Sequence, residues 1–99
     1  FQKAHAAAQE RTYREQTEKA QREYGWELIR AGQPAEAARQ FRSLGDGTES
    51  LSGLASALSA MGDHAGAAVA LERAVLHSPE RRDLRLRLAR ERLAAEASR

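Results

Sequence analysis

Sliding this chain along itself by 30 residues brings Gly32 onto Gly62, and the positions around them then agree in size. Leu28 falls on Leu58, Gly25 on Ala55, Tyr24 on Leu54, Ala37 on Ala67 and Phe41 on Leu71. Small residues meet small ones, and large apolar residues meet large ones. Glycine between two periodic apolar stretches suits the left-handed position that ends a helix. Small residues let two helices approach closely, while large ones fill the space between successive units. The repeat therefore restricts the chain to antiparallel helical hairpins stacked side by side, an all-α fold.

Periodicity divides the chain into five helices. The first runs from Phe1 to Ala31, with Tyr13, Thr17, Ala20, Tyr24, Leu28 and Ala31 along one face. Residues 9–23 are otherwise polar, which predicts a solvated arm or one half of an interface. Gly32-Gln33-Pro34 closes this helix and opens the next, which carries Ala37, Ala38, Phe41 and Leu44 inward. Gly45-Asp46-Gly47 forms a turn, and Thr48 or Ser50 is expected to cap the third helix. Leu51, Leu54, Ala55, Leu58 and Met61 mark that helix; Ala67, Ala68, Leu71, Ala74 and Val75 mark the fourth, over residues 64–77. Ser78-Pro79-Glu80 reads as the start of a fifth, with a capping serine, proline in the first turn and an acid near the positive end of the dipole. That helix runs to about Ala97 and has two apolar stripes. Leu84, Leu88 and Ala95 form one; Leu86, Ala89, Leu93 and Ala97 form the other, with Arg81, Arg85 and Arg92 between them. A terminal cap would show a single apolar face. Leu86 and Leu93 therefore define a second expected interface.

Ninety-nine residues make one domain, which buries about 60–65% of its unfolded surface. Much of the 41% hydrophobic fraction is alanine and only 5% of residues are aromatic, so closely packed helices with thin side chains are expected. The net charge of +2 is too small to argue by itself for nucleic acid or a membrane surface. The absence of cysteine excludes disulfides, thiolate zinc sites and cysteine nucleophiles, and leaves the compartment open. No apolar run nears the roughly 18 residues needed to span a bilayer. No signal peptide is visible, and a chain beginning at Phe1 is expected to be a piece of something longer.

Leu51, Leu54, Ala55, Leu58, Ala67, Leu71, Ala74 and Pro79 occupy the eight signature positions of a 34-residue helix–turn–helix unit, with Gly62-Asp63 at its turn. In these residues the chain resembles the tetratricopeptide repeat family over about 18–79. Residues 48–81 form a well-matched repeat and 18–47 a degenerate one. In the degenerate copy Gln21 replaces the leading large residue, Leu44 the last alanine, and Glu49 stands where proline belongs. Residues 1–17 are then an N-terminal arm, and 82–99 a capping helix or the start of a third repeat. The resemblance implies a short solenoid whose first helices line a concave groove. Carried over by position, that groove takes Lys19, Arg22, Trp26, Ile29 and Arg30 from the first copy. From the second copy it takes Glu49, Ser52, Ser56, Ser59 and Ala60. Ser52, Ser56 and Ser59 form a stripe opposite the leucines. Trp26 is either a groove anchor or a packing residue. The groove lacks the asparagine-rich pattern by which some family members hold a chaperone's C-terminal carboxylate.

Little points to chemistry. His5, His64 and His77 sit on different elements at no metal-ligand spacing, and Gly45, Gly47 and Gly53 match no nucleotide-binding fingerprint. No catalytic residues, metal site or cofactor are expected. Arg81, Arg82, Arg85, Arg87, Arg90 and Arg92 surround the last helix and are interspersed with Glu80, Asp83, Glu91 and Glu96, which describes a solvated face. Nucleic acid and membrane are thus not the expected partners. The expected function is a scaffold or adaptor that binds a peptide or helix of another protein. A secretion chaperone and a self-assembling homo-oligomer are the alternatives. Heavy use of Ala and Arg suggests a bacterial chain, of cytoplasm or periplasm.

Overall fold

The computed structural model describes residues 2–98, with side chains over 9–98; Phe1, Arg99 and the side chain of His5 lie outside it. Five helices follow one another: α1 Gln2–Arg30, α2 Pro34–Ser43, α3 Thr48–Ala60, α4 His64–His77 and α5 Arg82–Ala97. There is no strand among the described residues, and the fold is all-α. Each helix packs against the next, and α1 also lies beside α3. The result is a slab of 59 × 30 × 16 Å with α1, α3 and α5 successive along it and α2 and α4 bridging them.

The 30-residue repeat reappears in backbone hydrogen bonds. Gly32 and Gly62 have φ of 78° and 82°. Gln33 N–H donates to Leu28 O at 2.8 Å and Asp63 N–H to Leu58 O at 2.9 Å, five residues back in both copies. The glycine amides reach Ile29 O and Ser59 O, three residues back. Both helices thus end in the same motif, which satisfies carbonyls that would otherwise be orphaned. Pro34 then opens α2 without losing a needed amide. Asp63 caps α4 by accepting from Gly66 N–H at 2.9 Å.

Two buried clusters hold the slab together. Phe41, Ala37, Ala38, Leu28 and Ala57 centre the first, with Trp26 and Ile29 packed on it; Leu51, Ala55, Leu58, Ala67, Leu71, Ala74, Leu84 and Leu88 form the main part of the second. Phe41 and Leu71, the equivalent residues of the two hairpins, are both fully buried. Phe41 lies in a slot between two helices. A Cβ added to Gly25 of α1 would stand 2.7 Å from its ring Cζ, and one added to Gly53 of α3 would overlap the ring more severely.

Several local expectations are corrected. Gly47, not Thr48 or Ser50, precedes α3; no side chain caps that helix, and Ser50 is buried within it. The Thr48 and Ser78 hydroxyls bond each other at 2.7 Å. Ser78 therefore ends α4 instead of opening α5, which begins at Arg82 after a turn closed by Arg81 N–H to Ser78 O. The inward face of α1 is also rotated. Tyr24 is 52% exposed and Tyr13 more so, while Gly25, Trp26 and Ile29 turn toward the core. The Phe41 ring seats on Gly25, and that contact fixes the orientation. Met61, just past the end of α3, is exposed.

Candidate binding groove

The first helices of the two hairpins bring forward the residues singled out from the sequence, but not as one uniform strip. In α1, Lys19 is exposed, Arg22 half-buried, and Arg30 exposed and paired with Glu27. Trp26 meets Phe41 edge-on, ring centroids 5.6 Å apart at 71°, a favourable aromatic geometry. The indole is half-buried against the first cluster, and Ile29 packs there as well. Of the two readings of Trp26, packing describes its contacts. Its remaining surface is what a partner could touch.

In α3 the serine stripe is partly covered. Arg87 of α5 reaches across and donates from Nη1 to Ser52 Oγ at 2.8 Å. Its Nη2 donates to Ser52 O at 3.3 Å and Ser56 Oγ at 2.6 Å. Ser52 is buried as a consequence. Ser56, Ser59, Ala60, Arg87, Arg90 and Glu91 then line an open concavity of about 420 Å³ between α3 and α5. Trp26 packs on the first cluster through Phe41, and Arg87 lies on the serines of α3.

The rim is ordered by ion pairs. Arg81 grips Asp83 with Nε and Nη2 at 3.0 and 2.8 Å and reaches Glu49 at 2.6 Å, which ties the entry to α5 onto α3. Glu49, placed on the strip by position, is thereby engaged at the rim. The Arg81 hydrogen bonds hold the Asp83 carboxyl down to about 2 against an ordinary 3.8. A depressed folded value means that whatever stability the pair contributes is present above the unfolded carboxylate range and lost as pH falls through about 2. His64 Nδ1 and Glu91 Oε2, both largely buried, are 2.7 Å apart, and Arg92 donates to Glu72 at 3.0 Å. These contacts fasten α5 to α4. Burial pushes the Arg87 guanidinium below its usual value, an effect that Glu91 and Asp83 oppose through space.

The outer side of α5 shows the two stripes read from its sequence. Leu84 and Leu88 are buried, whereas Leu86 and Leu93 are 54% and 67% exposed, with Ala89 and Ala97 also exposed beside them. Among the described residues no group of three His, Cys, Asp or Glu side chains could hold a metal ion. No helix of the described residues is long and apolar enough to cross a membrane. Comparison with family models, curated proteins and solved structures returned no match. The function of the groove therefore has to be sought in its own geometry.

Two residues that matter here carry no local mark in the sequence. Arg87 reads there as one of the solvated arginines of the last helix, since nothing distinguishes one arginine of six as the one that crosses to α3. Gly53 reads only as part of a failed nucleotide motif. Its position about two turns before the Ala60 end of the helix carries no sign that an aromatic ring from α2 will rest on it.

Proposed function

We propose that this chain is a protein-interaction module of tetratricopeptide type, a scaffold or adaptor and not an enzyme, which binds a peptide or helical segment of another protein. The observation that supports this most is the concavity between α3 and α5, floored by Ser56, Ser59 and Ala60 and walled by Arg87 and Arg90. It is shallow and open. Such a surface suits an extended partner better than a small substrate, whose sites are typically concave enough to bury most of the ligand. Half-buried Arg22 and Trp26 stand at the 30-residue equivalents of Ser52 and Ser56 and extend the surface onto α1. Arg and Trp are the side chains that most often dominate binding energy.

The test is to select peptides on the chain by display and titrate them against two bulky variants. Ala60→Trp fills the groove from an exposed position, and Ala35→Trp places the same bulk on exposed α2. Binding is expected to fall about tenfold or more, roughly 1.4 kcal/mol, in the first variant only. Equal loss in both variants, or peptides that bind each as well as the parent chain, would refute the groove.

Self-assembly is a second reading, favoured by exposed Leu86 and Leu93. Under it, changing both to glutamine lowers self-association seen by sedimentation while leaving the melting temperature nearly unchanged. A parent chain that stays monomeric at high concentration rules it out.

A further inference from the structure

Arg87 is unusual among the arginines of α5. Its guanidinium is half-buried in the groove wall, yet its three hydrogen bonds go only to neutral oxygens, two hydroxyls and one carbonyl. Five N–H donors less three leaves the Nε–H and one Nη1–H without a bond. Its wall neighbour Arg90 has neither hydrogen bond nor ion pair to a described residue, and the same holds for Lys19 and Arg22 of α1. The one acid lining the groove, Glu91, is turned to His64. Asp83 and Glu49 at the rim are held by Arg81. The negative charges near the groove thus have cationic or histidine partners inside the protein, and two guanidinium groups in its wall do not.

A guanidinium held partly out of bulk water with no direct ion pair, as Arg87 is although Glu91 and Asp83 act on it through space, gains more from an incoming anion than one on the open surface. Arg87 is also preorganised. Ser52 and Ser56 fix the plane of its guanidinium, so little further rotamer freedom is lost when a second partner arrives. The hydroxyls of Ser56 and Ser59 can meet backbone groups of an extended segment at the same place.

From this we infer that the partner is an acidic segment, and that a glutamate or aspartate side chain of an extended peptide docks against Arg87 and Arg90 over Ser56 and Ser59. This rests on the proposed binding function and gives the chemistry of its partner. The recognised group is an internal side-chain carboxylate, so a free C-terminus is not required.

The probe is hexaglutamate with acetylated and amidated ends, titrated against the full chain, with the equally capped hexaglutamine as its neutral counterpart. Hexaglutamate is expected to bind, to weaken as salt rises, and to lose about tenfold or more in affinity with Arg87→Gln. Arg87→Lys keeps the charge but not the fork and should fall between. Arg82→Gln, exposed and outside the groove lining, should change little. Circular dichroism of each variant guards against unfolding. Should Arg87→Gln unfold the chain, Arg90→Gln, on an exposed residue, carries the same test. Hexaglutamine binding as tightly as hexaglutamate would overturn the inference, as would equal losses for Arg82→Gln and Arg87→Gln. Binding of an oligonucleotide through Arg87 in place of hexaglutamate would overturn it too. If display-selected peptides bind in the groove but carry no acid and ignore Arg87→Gln, the acidic partner is refuted and the binding function stands. If no peptide binds at all, both fail.

Discussion

Phe41→Ala is expected to cost about 3–5 kcal/mol, the range for truncating a fully buried aromatic side chain. The ring is the largest completely buried side chain among the described residues, and it fills the space between α1 and α3 while belonging to α2. Removing it leaves a cavity that two helix backbones would have to close. They cannot do so without disturbing the Leu28 and Ala57 contacts in the same cluster. Domains of this kind are stable by only about 5–15 kcal/mol, so the loss is a large part of the total. Leu71→Ala tests the same position of the other hairpin and should cost about 2–5 kcal/mol. Urea unfolding measures both, as a lowered midpoint at unchanged slope. A loss under about 1 kcal/mol at either position would show that the hairpins are not built around these residues.

Gly53→Ala should behave against its local propensity. In a helix interior alanine is ordinarily favoured over glycine by about 0.5–1 kcal/mol. Here the new methyl would enter the Phe41 ring, and overpacking of this kind costs about 1–3 kcal/mol. The ring is fully buried and cannot swing aside, so the expected net effect is destabilisation. Phe41→Leu, which gives the first hairpin the residue of the second, makes room. In that background Gly53→Ala should be much less harmful, with a coupling of about 1 kcal/mol or more between the two sites. Additive effects, or a stabilised Gly53→Ala chain, would contradict the slot.

The all-α architecture was legible because the relevant signals are short-range. A glycine that must take positive φ, the proline after it, and small residues spaced along a helix face depend on the hairpin that contains them. Gly32 and Gly62 therefore end α1 and α3 with the same hydrogen bonds. Signals that depend on a distant element were misread. Ser78 has the composition of a helix cap, yet Thr48, thirty residues earlier, engages its hydroxyl. Tyr24 has the spacing of a core residue, but the rotation of α1 is decided by Phe41 seating on Gly25, which leaves the tyrosine outside. The serine stripe was legible as a face of α3. That α5 would extend Arg87 over it was not, because an arginine on a mixed-charge helix carries no mark of its destination. The exposure of Leu86 and Leu93 was legible in the paired stripes of α5, since one helix can offer only one face to α4.

Whether a partner binds on the surface formed by α3 and α5 is tested most directly by NMR. Backbone amide shifts of the labelled chain, followed while an acidic display-selected peptide is added, report on it residue by residue. The expected result is a contiguous set of shifted amides at Ser56, Ser59, Ala60, Arg87 and Arg90, reaching Arg22 and Trp26 on α1, with exposed positions of α2 unmoved. Shifts confined to Leu86, Ala89 and Leu93 on the other side of α5, or spread without pattern over all five helices, would contradict it.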